Sequence, residues 1–151
     1  RVVPMLPEKL SNNLCSLRPH EDKLTFSAVF ELTPEAKVVN EWFGRTVIHS
    51  DHRFAYEGAQ EVLVAPTFLS ADRPDQAPPF QRELLTLNEL AKKLRAERFA
   101  HGAVNFETVE VRFRLDEVGK PLGVFQKVRV DAHKLIEEFM LLANKRVAEF
   151  V

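Results

Sequence analysis

The stretch Leu24-Thr25-Phe26-Ser27-Ala28-Val29-Phe30-Glu31-Leu32 decides the fold, with the turn and the second run that follow it. Leu24, Phe26, Ala28, Phe30 and Leu32 fall on one side of an extended chain, with Thr25, Ser27 and Glu31 among those on the other. That period of two predicts a half-buried strand. Thr33-Pro34-Glu35-Ala36-Lys37 reads as a turn, and Val38 to Ser50, rich in β-branched and aromatic residues, supplies an antiparallel partner. The pattern predicts a hairpin but leaves its register open.

Outward from this hairpin the periodicity changes. Residues 1–23 hold Pro4, Pro7 and Pro19 and the polar run Ser11-Asn12-Asn13, so extended chain with a single helical turn is expected. From Arg53 to Val64 the spacing becomes helical, with Ala55, Ala59, Val62 and Leu63 on one stripe. Ala65 to Pro79 contains Pro66, Pro74, Pro78 and Pro79 and reads as an exposed loop. A helix is predicted from Arg82 to His101, with Leu84, Leu87, Leu90, Ala91, Leu94 and Phe99 inward and Gly102 at its C-terminal cap. Val109 to Leu115 and Leu122 to Val130 form a second hairpin about Asp116-Glu117-Val118-Gly119-Lys120-Pro121. A last helix starts at Asp131, with Leu135, Ile136, Phe139, Met140, Ala143 and Val147 on its apolar face. Helices alternate with antiparallel pairs rather than with single parallel strands, so the fold class is α+β: antiparallel β-hairpins with three main helices.

Composition bounds the function. The 151 residues make about one domain, and 45% hydrophobic content suffices for a core. A net charge of −1 gives no global field to recruit nucleic acid or an anionic membrane. The single cysteine, Cys15, excludes an internal disulfide and a cysteine-rich zinc site, and fits a reducing, cytoplasmic setting. Six aspartates (Asp22, Asp51, Asp72, Asp75, Asp116, Asp131) are scattered, so no dense carboxylate cluster for two-metal chemistry is visible. No apolar run approaches a membrane span, and no signal-peptide pattern opens the chain. The absence of an initiating Met, and of a helix stop before Val151, is the pattern expected of an internal piece of a longer protein.

Few residues suggest chemistry. His49 and His52 flank Asp51, but a zinc site lacks its third and fourth ligands, and a solvated strand-to-helix junction is the plainer reading. Cys15, flanked by Leu14, reads as a small buried hydrophobe, and Ser16 lacks the glycines of a nucleophile elbow. Glu137 and Glu138 are adjacent on the last helix, hence about 100° apart and no acid/base dyad. At least one of them must sit at the edge of the apolar face, where a carboxylate is unfavourable unless paired or used. Phe106 has Arg95, Arg98, His101, Arg112 and Arg114 near it in sequence. Aromatic plus basic is the composition of a stacking platform for single-stranded nucleic acid, and equally of a solvated helix end.

Four ordered blocks carry a resemblance. Pro4-Met5-Leu6-Pro7-Glu8 through Leu10-Ser11-Asn12-Asn13-Leu14-Cys15-Ser16-Leu17, then Arg53-Phe54-Ala55-Tyr56, Gly102-Ala103-Val104-Asn105-Phe106-Glu107 and Asp131-Ala132-His133-Lys134-Leu135-Ile136-Glu137-Glu138 resemble landmarks of the ribonuclease II / ribonuclease R family, the RNB catalytic domain. The last block is closer to ribonuclease R. The Pro66–Pro79 stretch matches none of the family's landmarks.

The resemblance implies part of the catalytic domain of a processive 3′→5′ exoribonuclease that hydrolyses single-stranded RNA to nucleoside 5′-monophosphates. It implies Mg2+ in the full-length enzyme, held by aspartates N-terminal to Arg1. It also implies a phosphate-binding arginine and an RNA-binding barrel beyond Val151. No catalytic and no metal-binding residue is then expected within these residues, and the piece alone should be inactive. What carries over is RNA-binding. Phe106 matches an aromatic that stacks on a terminal base, Tyr56 a tyrosine near the terminal nucleotide, and Glu137 a glutamate on its ribose. Ser16 and Leu17 are expected to line the same channel. The other class of reading is a non-catalytic RNA- or protein-binding module of the same family. No membrane partner is expected, and cut sheet edges would favour self-association.

Overall fold

The computed structural model describes residues 3–65, 78–104, 110–127 and 129–151. After one π-helical turn, Leu10–Leu14, come strands β1 (Asp22–Leu32) and β2 (Val38–His49), helices α1 (Tyr56–Val64) and α2 (Gln81–Ala100), strands β3 (Glu110–Leu115) and β4 (Pro121–Lys127), and helix α3 (Asp131–Phe150). Each strand pair is a separate antiparallel two-stranded sheet, so the α+β class holds.

The β1–β2 register pairs Leu24 with Val47, Phe26 with Arg45 and Phe30 with Glu41. Its turn closes where the Thr33 hydroxyl accepts the N–H groups of Glu35 and Lys37, while Ala36 takes a left-handed φ of 63° and is buried. The sequence's alternation is present, but its polarity is not the expected one. Leu24 is 86% and Phe26 71% exposed, whereas the opposite face carries a half-buried hydroxyl cluster, Thr46 Oγ1 lying 2.7 Å from Thr25 and 2.6 Å from Ser27. On the apolar face only the turn end is covered: Phe43 meets Phe150 of α3 at 5.0 Å, and Arg146 of α3 pairs with Glu41. On the other face the Trp42 indole lies across the backbone at Gly44, where any Cβ would collide with it. Residues two apart on a strand share a face, and an indole is shielding a glycine that has no side chain of its own to pack.

The helices pack against one another. Small Ala91 and Ala132 and the branched Val62 and Leu135 are the buried apolar contacts, each large one contributing roughly 1.5–3 kcal/mol. Helix ends are closed by side chains of neighbouring helices. Gln81 Nε2 donates to the Val62 and Ala65 carbonyls at the end of α1, and Gln60 Oε1 accepts the Ala132 N–H at the start of α3. α2 ends as expected: Gly102 has φ 91°, and Ala103 N–H reaches the Arg98 carbonyl at 3.2 Å.

Several boundaries and faces differ from expectation. α1 begins at Tyr56 rather than Arg53, and β4 ends at Lys127. In α2 the buried stripe is Gln81, Asn88 and Ala91, leaving Leu87 exposed; in α3 it is Ala132, Leu135 and Glu138, leaving Ile136 and Met140 exposed. Gln81 and Glu138 can stand in these stripes because α1 carbonyls and the arginines of α2 satisfy them, which apolar counting does not register. Cys15 is exposed, not a buried hydrophobe.

Candidate nucleic-acid interface

Tyr56 is the first residue of α1, and Ala55 before it is extended and supplies no side-chain cap. The Tyr56 ring lies flat on His133 of α3, with centroids 4.1 Å apart and planes 10° from parallel. His133 Nδ1 is buried and has no hydrogen-bond partner among the described residues. Glu137 comes four residues, one helical turn, after His133, so the two project from the same side of α3. Its carboxylate has Arg129 at 3.6 Å; the Arg129 side chain is exposed and that of Glu137 half-buried. Tyr56 and Glu137, distant in sequence, therefore share one face through His133. No hydrogen bond, ion pair or ring contact among the described residues joins Ser16 or Leu17 to that face; Ser16 N–H bonds the Asn13 carbonyl, and Leu17 is exposed. Phe106, with Asn105 and Glu107, lies outside the described residues, as do residues 66–77 of the proline-rich loop.

The neighbouring carboxylate has a different environment. Glu138 is only 3% exposed and is gripped by the Arg98 fork, Nε at 3.1 Å and a terminal nitrogen at 2.5 Å, with Arg95 at 3.6 Å. The hydrogen bond to Glu138 raises the Arg98 pKa above its already high ordinary value, against the lowering effect of burial. Both guanidinium groups also cover the Phe99 ring, at 4.9 and 5.1 Å. Arg95 and Arg98, both half-buried, are thus engaged by Glu138 and Phe99 rather than forming the free basic edge of a stacking platform. The two adjacent glutamates divide by direction: Glu138 inward and paired, Glu137 outward. A cavity of about 700 Å3 lies between the β1–β2 turn, the end of α2 and α3, with Lys37, His101 and Lys145 in its wall; neither Tyr56 nor Glu137 lines it.

Among the described residues no three His, Cys, Asp or Glu side chains converge on a metal position. Asp22 contacts His49 Nδ1 at 2.7 Å, Asp116 accepts the N–H groups of Val118 and Lys120, and Asp131 faces Lys92 at 3.2 Å. His52 packs edge-on against Phe54. These three acids are engaged apart from one another and do not together form a magnesium site. Sequence reasoning missed His133 and Gln60. The four-residue spacing of His133 and Glu137 was a usable signal for a shared face, but nothing local announced the stack on Tyr56.

The fold is that of an RNB domain: the family model for the RNB domain matches residues 1–151, and the chain belongs to that family. It is 43% identical over 155 residues to DIS3-like exonuclease 2 of Caenorhabditis elegans, covering 98% of this chain and 18% of that protein. To ribonuclease R of Thermotoga maritima it is 39% identical over 149 residues, covering 98% of this chain and 20% of the relative. Two Arabidopsis thaliana relatives, DIS3-like exonuclease 2 and Inactive exonuclease DIS3L2, are each 35% identical to it over 157 residues, covering 100% of this chain and 15% of each relative. The chain thus spans about a fifth or less of the length of these relatives. Among solved structures it resembles Mycoplasma genitalium RNase R in complex with ribose methylated single-stranded RNA, with a TM-score of 0.81, 26% identity, and coverage of 99% of this chain and 22% of that one.

Proposed function

We propose that this chain is the substrate-positioning part of a 3′→5′ exoribonuclease acting on single-stranded RNA, and that Tyr56, Glu137 and Phe106 hold the 3′-terminal nucleotides. The observation that carries this reading is the shared face of Tyr56 and Glu137, joined through His133. An aromatic ring holds any base by its face, so binding tolerates sequence, as stepwise degradation requires. A carboxylate that is only partly covered, as Glu137 is, can accept a hydrogen bond from a ribose 2′-hydroxyl; a deoxyribose leaves it unpaired, which penalises DNA. Ser16 and Leu17 extend the same channel. Hydrolysis itself relies on Mg2+ held by acids outside these 151 residues, so the piece alone does not cleave RNA. The single cysteine, which suits a reducing setting, places the working protein in the cytoplasm.

The test is sugar discrimination in the full-length protein. Glu137→Ala should narrow the preference for RNA over DNA by about ten- to a hundredfold, the size of one hydrogen bond to a charged group. Equal discrimination in variant and wild type would remove Glu137 from this role. Phe106→Ala should lose one stacked base and change the length at which products stall, read on a sequencing gel. A second reading, a non-catalytic RNA-binding member of the family, is favoured by one observation: the chain is as similar to the relative named Inactive exonuclease DIS3L2 as to the one named DIS3-like exonuclease 2. A magnesium-dependent exonuclease assay of the full-length protein separates the two.

A further inference from the structure

We propose that His133 is a positioning residue for Tyr56, a flat support that holds the phenol ring where the terminal nucleotide binds; this rests on the reading of Tyr56 just given. Three observations converge on it. Tyr56 stands at the uncapped first position of α1 and is 44% exposed, so the helix that carries it does little to fix its ring. The contact that does fix it is the near-parallel stack on His133. The imidazole meets Tyr56 with its face, and its buried Nδ1 has no partner among the described residues, so hydrogen bonding from that nitrogen does not explain where the ring sits.

One turn further along α1, the Gln60 side chain accepts the Ala132 N–H, adjacent to His133. Tyr56 and Gln60 therefore attach α1 to the start of α3 at two points, one through a ring face and one through a hydrogen bond. A two-point attachment fixes rotation of α1 as well as its distance. Tyr56 is thereby set against the α3 face that bears Glu137 one turn beyond His133. Without His133, Gln60 still holds the helices together while the Tyr56 ring is free to turn.

The test uses the full-length protein and a fluorescein-labelled ten-nucleotide oligo(A) RNA with a free 3′-hydroxyl, its binding measured by anisotropy without added divalent metal. Tyr56→Ala should weaken binding by about tenfold, and His133→Ala by about two- to tenfold. His133→Phe, which keeps the flat face, should bind within about twofold of wild type, whereas His133→Leu, which keeps bulk but not planarity, should bind as weakly as the alanine variant. The double variant should bind no more weakly than Tyr56→Ala alone, because His133 acts only through that ring. Wild-type binding by His133→Ala or His133→Leu, with Tyr56→Ala impaired, would overturn the role of His133 and leave that of Tyr56 standing. Additive losses in the double variant would overturn it as well. Wild-type binding by Tyr56→Ala would remove the underlying reading of Tyr56, and this inference with it.

Discussion

Glu138 and Glu137 show how one step along a helix gives two adjacent carboxylates different surroundings. A step of about 100° turns one carboxylate into the interior, where Arg98 and Arg95 meet it, and leaves the other half-buried beside the exposed Arg129. Removing the charge of Glu138 leaves a partly covered guanidinium with a poorer partner. Glu138→Gln should therefore lower stability by about 2 kcal/mol, less than for a fully buried pair because Arg98 can still reach water. Glu137→Gln should leave stability within about 0.5 kcal/mol of wild type, as ordinary exposed substitutions do. Urea denaturation followed by circular dichroism distinguishes them, and equal losses would contradict the division of roles. For Glu137 the surrounding sequence carried a family resemblance, and the RNA-binding role proposed for it comes from that resemblance. Glu138 was legible only as a charge at the edge of an apolar face, since its arginines come from a helix forty residues earlier.

At the scale of elements, the periods of two and of 3.6 located both hairpins and all three helices, because side-chain direction follows from backbone geometry alone. Which face is covered was not legible. Alternation in β1 says that two faces differ, but Thr25 and Ser27 are the half-buried side because their hydroxyls pair with Thr46 of the neighbouring strand. Helix ends show the same dependence on remote partners: α3 has no cap from its own N-terminal residue and takes one from Gln60. Gln60→Ala should thus cost about 1 kcal/mol, the usual value of a lost helix cap. Amide exchange at Ala132 should quicken, and unchanged protection there would show that the cap is dispensable.

For the whole molecule, the balance of surface and core sets behaviour. Among the described residues the buried apolar ones are few and mostly small, while Leu24, Phe26 and Val47 leave a contiguous apolar area on the first hairpin open. Apolar patches of this kind on a soluble chain are contact surfaces. The 151-residue chain on its own should therefore self-associate with rising concentration, as sedimentation velocity would report. Phe26→Lys should shift it toward monomer without altering its circular dichroism spectrum; a wild-type chain monomeric at all concentrations would contradict this. The second hairpin exposes Val111, Phe113, Leu122 and Val124 likewise.

The indole lying across Gly44 has a use beyond packing. Trp42 is the chain's one tryptophan and Tyr56 its one tyrosine, and they stand in different layers, the first hairpin and the helices. Tyrosine emission overlaps indole absorption, so energy passed from Tyr56 to Trp42 is a native ruler between those layers. It needs no attached dye, and it would show whether hairpin and helices come apart together or in turn.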